Sequence, residues 1–289
     1  MRARQPDAEG YVDRGGVKLH YEVFGDGRPT LLLLPTWTIV NARFWKAQIP
    51  YLARHFRVVT YDGPGNGRSD RPLEPGPYGD EEQGRAAVAV LDATGTDRAV
   101  AVSLSMGALW ALWLMANRPE RLLGSVFIGA SVPLGRGHAR HDQPFDEPYT
   151  STEGWAKYNR YYWLDHYQDF LEFFFSQCFT EPHSTKPFED CVGWGLETSP
   201  EVLIAESHAP WPDEAKVRGW CAAGRCPVLV VHGEEDQISH VRRGRALAEA
   251  TGGDLVVLEG AGHIPMARDP VKVNLLIREF VESVGGRAR

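Results

Sequence analysis

The chain has 289 residues with a formal net charge of -7, and 43% of its residues are hydrophobic, 11% aromatic and 24% charged. That balance supports a large buried core rather than a disordered chain, and the length fits one α/β unit of roughly 200 to 250 residues carrying an insertion. The acidic excess and the lack of any lysine or arginine block exclude attraction to phosphate backbones or anionic lipid, so neither nucleic acid nor membrane is expected as a partner.

Residues 1–10 are polar and lack the apolar stretch of a secretory signal, and no later apolar run approaches the roughly 20 residues of a membrane span. A cytoplasmic location is the expectation. The four cysteines, Cys178, Cys191, Cys221 and Cys226, make neither a disulfide framework nor a zinc-binding pair of pairs, and are expected as reduced thiols.

In chain order, Gly15-Gly16 between alternating apolar residues predicts a hairpin of strands 11–14 and 17–24. A continuous apolar strand follows over 30–34, helical spacing over 44–54 and a β-branched and aromatic strand over 56–61. Helix 81–91, strand 99–104, helix 106–117 and strand 122–128 come next. Short, wholly apolar strands alternating with helices predict an α/β fold with a mostly parallel eight-stranded sheet, because crossover connections place helices on both faces. The rhythm resumes with strand 227–231, helix 241–250, strand 255–258 and helix 271–284. The expected organisation is therefore a core of residues 1–131 and 213–289 with an inserted helical segment over 132–212. That insertion holds helix-like stretches at 154–163 and 169–175, with Pro182, Pro187, Pro200 and Pro210 as breaks.

Between strand 99–104 and the helix after it stands Ser103-Leu104-Ser105-Met106-Gly107. A serine on a sharp strand-to-helix turn, with small residues two before and two after it, resembles the nucleophile elbow of the α/β-hydrolase family, although Ser103 stands where the motif has its first glycine. A serine hydroxyl needs a base, and the base needs an acid to fix its tautomer; in that family the chain order is serine, acid, histidine. The strand at 227–231 runs into His232-Gly233-Glu234-Glu235-Asp236, which is similar to the family's H-G-x-x-D. Asp236 is the expected acid, with Glu234 and Glu235 as competing carboxylates. Gly260-Ala261-Gly262-His263 then places His263 in the glycine-flanked loop where relatives carry the base.

The resemblance also implies an oxyanion hole formed by the N–H of Met106 and of Trp37, in the loop Pro35-Thr36-Trp37 where relatives have His-Gly. A side chain at Thr36 restricts that loop. Asp62-Gly63-Pro64-Gly65-Asn66-Gly67-Arg68-Ser69 is similar to the family's D-x-x-G-x-G-x-S, which shapes one side of the active-site mouth. No cofactor and no metal are expected: His20, His208 and His240 show no ligand spacing.

In this family the insertion is a cap. Its aromatics, with Trp155, Tyr158, Tyr162, Trp163 and Phe174 as pocket candidates beside Thr36 and Ile264, point to a small-molecule hydrophobic substrate, some of the rings being cap core. The expected activity is hydrolysis of a carboxylic ester with a hydrophobic acyl or aromatic group by a monomer or homodimer, declining as pH falls through the ordinary histidine range, about 6.5. Lactonase, perhydrolase, acyltransferase and C–C bond hydrolase chemistry use the same triad, though in the last class the histidine is commonly followed by tryptophan rather than by Ile264-Pro265. Epoxide hydrolases and haloalkane dehalogenases need an aspartate where Ser105 stands. A hydrolase-like ligand-binding receptor is the reading from outside the enzymes.

Overall fold

Eight strands join in a single sheet: β1 (Ala8–Arg14), β2 (Val17–Phe24), β3 (Thr30–Leu33), β4 (Arg57–Tyr61), β5 (Ala99–Leu104), β6 (Leu122–Ile128), β7 (Val228–Gly233) and β8 (Asp254–Leu258). They are seen in a computed structural model that describes residues 4–135 and 144–285. The strand order is β1-β2-β4-β3-β5-β6-β7-β8. β2 pairs antiparallel with both β1 and β4, and every other pairing is parallel.

Side chains alternate across a strand, so the two faces of the sheet collect different residues. Leu31, Leu33, Val58, Val100, Val102, Val126, Ile128 and Val231 enter one core. Their neighbours Leu32, Val59, Ala99, Ala101, Phe127, Val228 and Val230 enter the other. The first core is covered by α1 (Ile49–Leu52) and α10 (Pro270–Gly285), the second by α2 (Asp80–Ala93), α3 (Gly107–Asn117), α7 (Glu214–Ala223) and α8 (Val241–Thr251). Burial on both faces is why β5 and β7 are wholly buried and, His232 of β7 apart, apolar or small.

Between β6 and α7 lie α4 (Arg160–Cys178), α5 (Thr185–Gly195) and α6 (Pro200–Ser207), within the interval expected to be inserted; residues 136–143 of it lie outside the described residues. α9 (Pro265–Arg268) is a single turn before α10.

Two helix expectations are corrected. Residues 44–54 are not one helix but a 3-10 turn, Ala42–Trp45, followed by α1, because Pro50 lacks an N–H and is accommodated only in a first turn. The stretch 154–163 is likewise broken: a 3-10 turn ends at Lys157, and Asn159 caps α4 by accepting from the N–H of Tyr161 at 2.9 Å and Tyr162 at 3.2 Å. The stretch 169–175 is helical as expected and lies in the part of α4 that follows a kink at His166 with φ -140° and ψ 46°. Cys178, Cys191 and Cys221 are buried, Cys226 is half-buried and all four are free thiols. Among the described residues no helix is long and apolar enough to cross a membrane.

Candidate active site

β5 ends at Leu104, α3 begins at Gly107, and the turn between them holds Ser105 at φ 52°. That left-handed conformation is costly for a residue with a side chain and persists only where its surroundings enforce it. The Ser105 N–H donates to the Ile128 carbonyl at 3.0 Å, and the Ser105 carbonyl accepts from the N–H of Ser131 at 3.0 Å and of Ala108 at 3.2 Å. The small neighbours have separate reasons. A Cβ on Gly107 would lie 2.4 Å from the Pro35 carbonyl oxygen, so glycine lets the turn press against the loop after β3. Ser103, in place of the family's glycine, is wholly buried and its hydroxyl donates to the Val126 carbonyl at 3.2 Å.

Asp236 follows β7 and is buried. One carboxylate oxygen, Oδ1, accepts from the N–H of Ile238 at 2.8 Å and of Ser239 at 2.7 Å; the other, Oδ2, is 2.7 Å from Nδ1 of His263. Burial pushes this carboxyl up, but the charge of His263 and the hydrogen bonds of His232 and His263 outweigh it and hold Asp236 below the usual carboxylate range. An ionised Asp236 makes Nδ1 the donor, which leaves Nε2 of His263 with its lone pair. Glu234 and Glu235, the competing carboxylates, are exposed on the same turn.

His232, which sequence reasoning left without a role, is wholly buried with Nε2 2.6 Å from the Ser239 carbonyl oxygen and 3.2 Å from Asp236 Oδ2. Its N–H thus serves both the acid and the turn that carries it. The signal available was its place at the head of H-G-x-x-D.

The backbone of His263 is held by its N–H, which donates to the carbonyl of Cys178 at 2.9 Å at the end of α4. Its imidazole rests on Gly129: a Cβ there would be 3.3 Å from Nδ1 and 3.4 Å from Cε1. Gly129 follows Ile128, the residue that receives the Ser105 N–H, so elbow and imidazole stand together at the ends of β5 and β6. Among the described residues no hydrogen bond joins the Ser105 hydroxyl to His263.

Met106 is the residue immediately before α3, at the electropositive end of that helix. Thr36 is buried, its hydroxyl without a hydrogen-bond partner. The Trp37 ring lies 4.9 Å from Phe174 and 6.0 Å from Tyr158 and Trp163, centroid to centroid, and Trp155 is 6.4 Å from Phe174. Tyr162 belongs to a different group, edge-to-face with Tyr149, tilted against His166 and donating to Asp169 at 2.6 Å. Ile264 is buried and lines an apolar cavity of about 170 Å³ with Phe44, Cys191, Trp194 and Ala267. A larger cavity, about 520 Å³, is lined by Asn41, Arg43, Lys46, Trp194 and Glu197 among others, and Ser105 is not in its wall.

His20 meets two carboxylates that its sequence spacing did not suggest. Glu9 stands opposite Glu22 across β1 and β2, and ligand atoms of Glu9, His20 and Glu22 come within 4.8 Å of one another. The Arg68 guanidinium, 2.8 Å from Glu9, already supplies a cation there.

Comparison with known proteins agrees with this fold. Residues 29–270 match the family model described as alpha/beta hydrolase fold. The chain is 27% identical over 272 residues to 3-oxoadipate enol-lactonase 2 of Acinetobacter baylyi, covering 89% of this chain and 91% of that one. A solved structure described as an N-acyl homoserine lactone degrading enzyme superposes with a TM-score of 0.74 at 26% identity, over 94% of this chain and all of the other. An esterase from Rhodococcus, at 24% identity and a TM-score of 0.78 over 95% and 98% of the two chains, is alike in fold. The chain belongs to the alpha/beta hydrolase fold family.

Proposed function

We propose that the protein is a serine hydrolase that cleaves a carboxylic ester with a hydrophobic acyl or aromatic group, with Ser105 as nucleophile, His263 as general base and Asp236 as the acid that orients it. The observation that carries this reading is the 2.7 Å bond between His263 Nδ1 and a buried, ionised Asp236, with the imidazole lying on Gly129 beside the strained Ser105 turn.

In the first half-reaction Nε2 of His263 takes the Ser105 proton as Oγ bonds the ester carbonyl carbon. The carbonyl oxygen becomes an oxyanion held by the N–H groups of Met106 and Trp37. Collapse of the tetrahedral intermediate breaks the ester C–O bond, and the leaving alkoxide takes the proton from His263. Water then repeats the sequence on the acyl-enzyme and frees the acid and Ser105. Residues 132–212 act as the cap, and the aromatic group around Trp37 forms the apolar wall nearest the oxyanion loop.

A fluorophosphonate probe followed by intact mass tests the reading: one adduct on the wild type, none on Ser105→Ala. Absence of any adduct on the wild type supports a ligand-binding receptor instead. A lactone is the second reading, favoured by the similarity to an enol-lactonase over most of the chain and to a structure described as degrading an acyl homoserine lactone. A lactone is a cyclic ester, so the same steps apply with the leaving alcohol tethered. Comparing kcat/KM on p-nitrophenyl acetate, butyrate and octanoate, aryl esters and simple lactones separates the two, and a strong preference for acetate overturns the apolar pocket.

A further inference from the structure

Glu206, on α6, is wholly buried, yet among the described residues no lysine, arginine or histidine pairs with it. Its carboxyl group instead accepts the Thr38 N–H at 3.1 Å, a contact between residues 168 apart in sequence. The remaining polar groups of Thr38 are held by the loop after β4. The Thr38 hydroxyl donates to the Pro64 carbonyl at 3.2 Å, and the Asn66 amide donates to the Thr38 carbonyl at 2.8 Å. On the other side of the peptide joining Trp37 to Thr38, the Trp37 carbonyl accepts from the Val40 N–H at 3.2 Å. A peptide unit is planar, so gripping its N–H and its C=O fixes the plane. The neighbouring Trp37 N–H, which belongs to the preceding peptide, is joined to that fixed plane through only the ψ and φ of Trp37.

The seating is tight. A Cβ on Gly65 would lie 2.3 Å from Thr38 Cγ2 and 2.8 Å from Val202 of α6, and the Thr198 hydroxyl donates to the Gly65 carbonyl at 2.6 Å.

We propose that Glu206 is a positioning residue, which from α6 holds the Trp37–Thr38 peptide so that the Trp37 N–H meets the oxyanion, coupling the cap to the chemical step. The oxyanion half of this inference rests on the serine-hydrolase reading above; the buried tie to Thr38 does not.

Burial pushes the Glu206 carboxyl up to about 8, against the lowering effect of its hydrogen bonds from Thr38. The other groups acting in its surroundings are Tyr78, ahead of α2, and Tyr167, on α4, with Arg71 acting on the first and Glu201 on the second. Both tyrosines donate elsewhere, to the Pro72 carbonyl at 2.6 Å and the Gly195 carbonyl at 3.0 Å, and burial raises both well above the ordinary tyrosine value. They therefore stay neutral while Glu206 titrates. A protonated carboxyl is donor and acceptor at once, and a carboxamide can replace it.

The test compares wild type, Glu206→Gln and Glu206→Ala, with active sites counted by fluorophosphonate and kcat and KM measured on p-nitrophenyl butyrate. Glu206→Gln should stay within about twofold of wild type at pH 7, whereas Glu206→Ala should lose roughly tenfold or more in kcat per titrated site with KM little changed, as for a misplaced oxyanion donor. Glu206→Met, which keeps the volume without the acceptor, carries the same expectation if the alanine variant does not fold. A second arm needs no turnover. Glu206 is raised to about 8 in the folded chain against about 4.3 unfolded, so the unfolded state loses its proton first. The Tm of wild type relative to Glu206→Gln should fall as pH climbs through that window and level off above it. A flat Tm difference overturns the buried tie. Wild-type kcat per titrated site in the alanine and methionine variants overturns the coupling, and wild-type protein that takes no fluorophosphonate overturns the serine reading and the coupling with it.

Discussion

Asp236 Oδ2 and His263 Nδ1 are 2.7 Å apart and both residues are buried, though 27 positions separate them in sequence. The same oxygen lies 3.2 Å from His232 Nε2, so two imidazoles converge on one carboxylate while its other oxygen caps the turn at Ile238 and Ser239. The acid is thereby fixed in place and kept ionised by the groups it orients.

Replacing Asp236 by asparagine should therefore do more than remove a charge. The amide N–H would face Nδ1 and favour the wrong tautomer, and kcat is expected to fall by about 10⁴. Stability gives an independent check. A carboxyl with a depressed folded pKa contributes stability that is present above its unfolded value, about 3.9, and lost as pH falls through the folded one. The Tm deficit of Asp236→Asn should be largest near neutral pH and shrink below about pH 4.

Ser105→Ala and His263→Ala should each lower kcat by several orders of magnitude, on the order of 10⁴ to 10⁶, and the double variant by little more, because the two act as one unit. Steady-state kinetics on a p-nitrophenyl ester measures this. Additive losses in the double variant would contradict a shared proton transfer.

Gly107→Ala sets two effects against each other. Inside a helix alanine is favoured over glycine by about 1 kcal/mol. Here the new Cβ would sit 2.4 Å from the Pro35 carbonyl oxygen, backbone that cannot swing aside like the end of a side chain. The clash should win, with a net loss of roughly 1 to 3 kcal/mol in a melt and a drop in kcat as the oxyanion loop is displaced. Unchanged or raised stability would show that the elbow and the loop are not in contact.

Within the aromatics of α4, Trp163 is wholly buried and its indole N–H has no hydrogen-bond partner among the described residues. Trp163→Ala should cost about 3 to 5 kcal/mol. Trp163→Phe should cost much less, since it removes an unsatisfied buried donor whose burden is about 1 to 3 kcal/mol. Tyr158→Ala, at a half-buried position on the Trp37 group, should instead change relative kcat/KM across acyl chain lengths with a smaller effect on Tm.

What could be read before folding follows from rules that act over a few residues. Alternation and largely apolar runs located all eight strands, because a strand buried on both faces favours apolar side chains along its length. The Ser103-Leu104-Ser105-Met106-Gly107 turn was legible because only small neighbours permit a residue at φ 52° between strand and helix. The helix over 44–54 was misjudged where apolar spacing and the missing N–H of Pro50 disagreed, and the proline decided.

The H-G-x-x-D position already favoured Asp236 over Glu234 and Glu235, but only the fold shows which carboxylate of that turn reaches a loop 27 residues on. Tertiary structure alone divided the cap aromatics between the Trp37 group and the Tyr149 and His166 group. It also buried Glu206 against Thr38, a pairing no spacing rule could anticipate. Local order is written in neighbouring residues; desolvation and hydrogen-bond partnership depend on what the rest of the chain brings alongside.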